Sequence, residues 1–198
     1  MKAKIAVFAS GEGTNLQALI DAQKSGKIKN GEIALVISDK ADAYALTRAQ
    51  DFAIPFFAVT VKERGDFERE VLGLLARYGI DLIVLAGFMR LLSADFAGRY
   101  KNRIINVHPS LIPAFCGKGF YGLKVHEQVL KSGVKITGAT AHYVNEITDG
   151  GEIILQKAVK VKKGDTPQTL QQRVKERAEW KILPQAVEKI CKNIAGGK

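Results

Sequence analysis

The sequence predicts an α/β fold: a doubly wound, mostly parallel sheet with an antiparallel strand pair and a long helix towards the C-terminal end. Three observations carry this. Apolar runs alternate with amphipathic segments through the first half, a glycine-rich turn follows the first run directly, and Asp81 to Ala86 is apolar almost throughout. A near-continuous apolar run of that length marks a parallel strand covered on both faces.

Lys4 to Ala9 is the first strand, and Asn15 to Lys24 is a helix with Leu16, Leu19 and Ile20 on one face. Glu32 to Ser38 is the second strand, Ala43 to Phe52 the second helix and Phe56 to Val59 a short third strand. Asp66 to Tyr78 is a helix that buries Phe67, Val71, Leu74 and Leu75. Beyond the apolar strand, Ser93 is placed to cap a short helix by accepting from a first-turn N–H. Arg103 to Val107 is the next strand. The second half changes character. Lys135 to Asn145 and Glu152 to Val161 are strand-like, and Ile147-Thr148-Asp149-Gly150-Gly151 between them is a turn signal that makes them antiparallel neighbours. A final helix runs from about Pro167 to Ile190, with a kink or break expected at Pro184, which lacks an N–H and crowds the preceding turn. Gly196-Gly197-Lys198 reads as a frayed end.

At 198 residues, 46% hydrophobic and 25% charged, the chain suits one globular domain with a sizeable core. No run is long enough to span a bilayer, and the apolar stretch near Met1 is too short for a signal peptide. Cys116 and Cys191 lie far apart, make no metal-spacing pattern and fit a reducing, cytoplasmic compartment. The net charge of +10 owes much to lysines scattered through the tail without interleaved aromatics. That argues against a nucleic-acid surface and leaves a solvated exterior whose field favours an anionic small molecule.

The most informative stretch is Asn106-Val107-His108-Pro109-Ser110-Leu111-Ile112-Pro113. An amide and an imidazole share one face at a strand's end, and the two prolines force the chain out into a loop. Asn106 and a protonated His108 can both donate to an oxyanion developing on a carbonyl. Asp149 favours the imidazolium if folding brings it near, and His142 is placed to bridge to Asp149 or to orient it. Ordinary readings stand beside these: Asp149 as a turn former, His142 as a strand histidine bonded to backbone. Ser10-Gly11-Glu12-Gly13-Thr14-Asn15 lets backbone N–H groups approach an anion at a helix N-terminus, or is simply a tight turn. Its spacing falls short of a dinucleotide fingerprint. Gly87 to Leu92 is either the wall of a pocket for a flat ring or core packing by Phe88, Met89 and Leu92. His126, near a helix start, packs or faces solvent. The histidines and acids show no metal-ligand spacing.

Ala9 to Gln17, Leu85 to Ser93, Asn106 to Pro113, Gly138 to Val144 and Asp149-Gly150-Gly151 together resemble the phosphoribosylglycinamide formyltransferases, within the wider folate-dependent formyltransferase group. The resemblance implies a single Rossmann-like formyltransferase domain over residues 1–198, with a phosphate-binding half at 1–105 and a catalytic and folate half at 106–198. It implies formyl transfer from 10-formyltetrahydrofolate to the glycine amine of 5-phosphoribosylglycinamide, in de novo purine biosynthesis and without a metal. Residue by residue, it implies a catalytic trio of Asn106, His108 and Asp149, with His142 in support. It puts Gly13, Thr14 and Asn15 on the substrate phosphate and Glu179 on the same substrate. It puts Arg64, Met89, Arg90, Leu91, Leu92 and Asn106 on the folate. The partners are then small molecules, with neither nucleic acid nor membrane, and a homodimer stays open.

Two stretches depart from the family pattern. Ala114 to Lys124 is longer and more aromatic than the usual link after Pro113, and Arg173 to Pro184 is one residue longer than usual. Three rivals share parts of the pattern. A formyltetrahydrofolate deformylase has the same core and usually an extra N-terminal domain, and a methionyl-tRNA formyltransferase normally adds a C-terminal RNA-binding domain. Neither addition is expected here, with the first strand at the N-terminus. A non-catalytic nucleotide-binding domain explains the glycine loop but leaves Asn106, His108 and Asp149 as coincidence.

Overall fold

Alternation along the first strand decides the layering. In the computed structural model, which describes residues 1–197, β1 (Ala3–Phe8) turns Ile5 and Val7 into one core and Ala6 and Phe8 into the other. All four are fully buried, as expected for a strand with helices on both faces. The first core gathers α1 (Thr14–Lys24), α2 (Tyr44–Asp51), α5 (Leu123–Lys131), α6 (Pro167–Val174) and α7 (Trp180–Ala195). The second gathers α3 (Arg64–Tyr78), through Phe67, Val71 and Leu75, and α4 (Ala94–Arg99), through Phe96. Ser93 caps α4 as expected, its hydroxyl accepting from the Phe96 N–H.

The remaining strands are β2 (Gly31–Ser38), β3 (Phe56–Ala58), β4 (Leu82–Leu85), β5 (Ile104–His108), β6 (Ile136–Tyr143) and β7 (Ile153–Lys160). They form one sheet in the order β3-β2-β1-β4-β5-β6-β7. The first five run parallel, β6 runs antiparallel to β5, and β7 antiparallel to β6. This is the doubly wound, mostly parallel sheet with the expected antiparallel pair. The chain steps outward from β1 to β3 and then crosses to β4 on the other flank of β1. The loops leaving β1 and β4 therefore diverge, and a crevice opens beyond their carboxyl ends.

The long C-terminal helix breaks, but not at Pro184. α6 passes into a π-helical turn at Lys175–Glu179, and α7 follows with Pro184 inside it. A π turn closes i→i+5 and so takes up one residue more than an α turn. Pro184 withholds its N–H from the carbonyl of Trp180, the residue at which the π turn ends. α7 continues past Ile190 to Ala195, and the N–H groups of Gly196 and Gly197 bond back to Lys192 and Ile194. Two residues of the expected frayed end are thus ordered into a closing turn, and Lys198 lies outside the described residues. Among the described residues no helix is long and apolar enough to cross a membrane.

The turn between β6 and β7 has no room for side chains where its glycines stand. A Cβ on Gly151 would overlap the carbonyl of Tyr143, and one on Gly150 would meet Ile147 Cγ2 at 2.5 Å. Asp149 adopts a left-handed φ of 56°. Backbone cannot give way as a flexible side chain can. Gly151→Ala is therefore expected to destabilise the fold by about 1–3 kcal/mol, read as a lower urea midpoint with an unchanged m-value. An unaltered midpoint would mean that the turn shifts freely.

Candidate active site

At the carboxyl ends of β1, β4 and β5 lies a cleft of about 1130 Å³. Its walls include Gly13, Thr14, Asn15, Arg64, Met89, Arg90, Leu91, Leu92, Asn106, His108, His142, Asp149 and Glu179. Every site residue singled out from the sequence borders this one space.

The loop after β1 forms one end. Gly13 is left-handed at φ 68° and precedes α1 without any side-chain cap. A Cβ there would meet Ala45 at 2.8 Å, so glycine lets the loop press against α2. Arg48 of α2 holds the loop, donating to the Glu12 carbonyl at 2.8 Å and to Gln17 at 2.9 Å. The first helical bond of α1 is Gln17 N–H to Gly13 O. The preceding N–H groups at the helix start are free for an anion, which they and the helix dipole favour. Asn15 turns inward and donates from Nδ2 to Glu179 Oε2 at 2.8 Å. The π turn delivers Glu179 to this contact and sets Lys175 on the same wall. Burial raises the Glu179 carboxyl above the usual range, opposed by the Asn15 bond and the Lys175 charge.

The segment after β4 divides between the two readings made of it. Phe88 is core, lying edge-on to Phe8 at 5.4 Å and stacked on Phe67 at 6.0 Å between centroids. Met89 and Leu91 are rim residues, 50% and 64% exposed. Ser10 Oγ accepts the Met89 N–H at 2.9 Å, and Glu68 takes both the N–H and the hydroxyl of Ser93 at 2.6 Å. Pinned at both ends, the segment between offers unpaired backbone to the cleft. The Arg90 side chain is already engaged, donating to the carbonyls of Val61 and Lys62 and lying 4.4 Å over the Phe67 ring.

At the end of β5, Asn106 and His108 share a face while Ile105 and Val107 pack into the core opposite. Antiparallel pairing sets His142 of β6 across from Asn106. His142 Nδ1 donates to the Tyr143 carbonyl at 2.8 Å, which leaves Nε2 to accept from Asn106 Nδ2 at 3.3 Å. His142 thus orients Asn106 rather than Asp149, from which it stands 3.7 Å away. Asp149 Oδ2 lies 3.5 Å from His108 Nδ1 and accepts the Gly117 N–H at 2.9 Å. His108 Nε2 donates to the Phe115 carbonyl at 2.9 Å. An acceptor therefore faces each ring nitrogen of His108, an arrangement that the doubly protonated ring satisfies. The long loop after Pro113 is part of this site, since Phe115 and Gly117 bond directly to two members of the trio. Amide, imidazole and carboxylate together can stabilise a tetrahedral oxyanion and move a proton.

Comparison with known proteins narrows the chemistry. The sequence profile described as formyl transferase matches residues 3–187. The chain belongs to the formyltransferase family. It is 38% identical over 190 residues to phosphoribosylglycinamide formyltransferase of Bacillus subtilis (strain 168), covering 94% of each chain. It is 43% identical over 193 residues to the trifunctional purine biosynthetic protein adenosine-3 of Homo sapiens, covering 96% of this chain but only 18% of that protein. The crystal structure of phosphoribosylglycinamide formyltransferase from Bacillus halodurans superposes with a TM-score of 0.87 at 39% identity, covering 96% of each chain.

For a formyltransferase-family chain, several wall residues lie outside the sequence expectation. Gln171, Lys175 and Lys118 line the cleft, and His126, expected to pack or face solvent, is wholly buried yet borders it. Lys175 had a usable signal, being four residues before Glu179 in a helical stretch. Among the described residues no group of three or more His, Cys, Asp or Glu is placed to hold a metal ion. Burial, followed by the charges of Lys175 and His108, lowers the His126 ring from 6.5 to about 4. Burial also lowers His142. At these two rings the unfolded chain binds more protons than the folded one below about 6.5, so their contribution to stability falls as pH drops towards about 4, while the raised Glu179 carboxyl acts in the opposite sense. Urea unfolding in pH steps is expected to show that slope, and His126→Gln to flatten it. A profile of equal slope in both proteins would contradict the neutral buried ring.

Proposed function

We propose that this chain transfers the formyl group of 10-formyltetrahydrofolate to the glycine amine of 5-phosphoribosylglycinamide, a step of de novo purine biosynthesis. The observation that carries the reading is the meeting of Asn106, His108 and Asp149 between an open helix N-terminus and an apolar wall with free backbone. In this reading the half at 1–105 supplies Gly13, Thr14 and Asn15 to the 5-phosphate. The same half supplies Met89 to Leu92 to the folate ring and Arg64 to its anionic tail, so folate binding is not confined to the half at 106–198. Glu179 takes the remainder of the glycinamide substrate. The partners are small molecules, and a reducing cytoplasmic compartment suits the two free thiols.

10-Formyltetrahydrofolate supplies the formyl carbon that the neutral amine attacks. Asn106 presents its second Nδ2 proton to the oxygen that gains negative charge. His108 presents its Nε2 proton once a substrate oxygen replaces the Phe115 carbonyl as its acceptor. The Asp149 carboxylate stabilises the imidazolium until His108 passes a proton to the folate nitrogen as the bond from that nitrogen to the formyl carbon breaks, and the proton lost from the attacking amine restores the imidazolium.

Incubation with 10-formyltetrahydrofolate, with and without phosphoribosylglycinamide, tests the assignment. Folate product is expected only with the amine. Product in its absence identifies a deformylase, and no product in either case leaves a binding domain. His108→Ala and Asp149→Ala are each expected to lower kcat by roughly 100-fold or more, with KM changed only about threefold. Near-normal turnover in either variant would remove that residue from the chemistry.

A further inference from the structure

Behind the segment that follows β4 stands a buried carboxylate with no cation beside it. Glu68 of α3 is 9% exposed. Its Oε1 accepts the Ser93 N–H and its Oε2 the Ser93 hydroxyl, each at 2.6 Å. Among the described residues no Lys, Arg or His forms an ion pair with it. Burying a charge on hydrogen bonds alone is costly, and capping α4 does not require it, since Ser93 Oγ already accepts the Phe96 N–H at 3.1 Å. The neighbouring contacts of α3 converge on the same segment. Phe67 stacks on Phe88 at 6.0 Å between centroids and lies 4.4 Å beneath the Arg90 guanidinium. Arg90 in turn donates to the carbonyls of Val61 and Lys62, shortly before the helix. Ser10 Oγ holds the other end through the Met89 N–H at 2.9 Å.

Between these anchors the backbone groups of Arg90, Leu91 and Leu92 make no hydrogen bond among the described residues, and all three residues line the cleft. A backbone without internal bonds has nothing of its own to fix its conformation. Met89 and Leu91, 50% and 64% exposed, add little packing. The conformation therefore depends on the anchors, and at the Ser93 end the anchor is Glu68. A carboxylate suits that place because it offers two acceptor oxygens and no donor. It takes the Ser93 N–H and hydroxyl proton together, in short charge-assisted bonds, and leaves the Ser93 lone pair for the Phe96 N–H. We propose that Glu68 is a positioning residue for the formyl donor: through Ser93 it sets the backbone of Arg90 to Leu92 in the arrangement that bonds the flat folate ring, and so governs donor affinity without touching the donor. This rests on the reading of that segment as the folate wall and adds to it the residue that keeps the wall in shape. The start of α1, where the substrate phosphate is placed, has a separate support in Arg48 and does not depend on Glu68.

The test is direct binding to the full chain, so that it does not depend on turnover. Tetrahydrofolate and ribose 5-phosphate are titrated calorimetrically into the wild type, Glu68→Met, Glu68→Gln and Ser93→Ala. Glu68→Met, which fills a similar volume without an acceptor, is expected to weaken tetrahydrofolate binding by roughly tenfold and to leave ribose 5-phosphate binding unchanged. Glu68→Gln, which keeps an acceptor for the Ser93 N–H, should regain most of the loss. Glu68→Met combined with Ser93→Ala should bind tetrahydrofolate no more weakly than Glu68→Met alone, because both act through one contact. In turnover, Glu68→Met should raise KM for the folate and leave KM for phosphoribosylglycinamide unchanged, a split that general loosening of the fold would not produce. Tetrahydrofolate binding as tight as the wild type's in Glu68→Met, equal weakening of both ligands, or a Glu68→Gln protein no better than Glu68→Met overturns the proposal. Should Glu68→Met not fold, Ser93→Ala decides. It is expected to weaken tetrahydrofolate about threefold with ribose 5-phosphate unaffected, and unchanged tetrahydrofolate binding overturns the proposal. The expected pattern without formyl transfer would keep Glu68 in this role and sink the proposed reaction alone, whereas a wild type that binds no tetrahydrofolate would sink both.

Discussion

The placement of one carboxylate organises the functional end of this molecule. Asp149 is nearly buried, its side chain 10% exposed, and burying a charge without partners is costly. Its partners come from two separate places: His108 at the end of β5 and the Gly117 N–H in the loop after Pro113. Antiparallel pairing brings β6 beside β5, and a left-handed turn with two crowded glycines returns the carboxylate over the strand ends. The loop after Pro113 closes on Asp149 and His108 with two backbone groups, so it behaves as a wall of the site in this conformation.

The two histidines beside that carboxylate are distinguished by their second contacts. His142 gives its Nδ1 proton to the Tyr143 carbonyl and keeps a lone pair for the Asn106 amide. Burial, the largest influence on that ring, favours its neutral form. With the His142 proton on Nδ1, the contact sets the Asn106 amide nitrogen towards His142 and leaves an N–H for the cleft. His108 has an acceptor at each nitrogen instead. The same side-chain chemistry is therefore set to two tasks by which backbone carbonyl lies within reach.

Much of the fold was legible in the chain because its signals are local. The apolar runs at Ile5 to Phe8 and Leu82 to Leu85 and the helical stripe of Phe67, Val71 and Leu75 each follow from burial of particular faces. Pairing of β6 with β7 followed from the Asp-Gly-Gly turn. The break expected at Pro184 falls elsewhere: Pro184 lies inside α7, and the irregularity falls at Lys175–Glu179. That shift carries consequence for the site, since the π turn sets Glu179 against Asn15, 164 positions apart in sequence.

By itself, the sequence determined the layering, the strand-end positions of Asn106 and His108, and the glycine-led start of α1, because each depends on residues within a few positions of one another. Tertiary structure alone decided which groups share the cleft and in what state. Whether Asp149 faces His108, whether His142 serves Asn106 or Asp149, and whether His126 borders the cleft depend on distances between elements far apart in the chain. Such distances are set by sheet order and helix packing, and no local pattern of residue types encodes them.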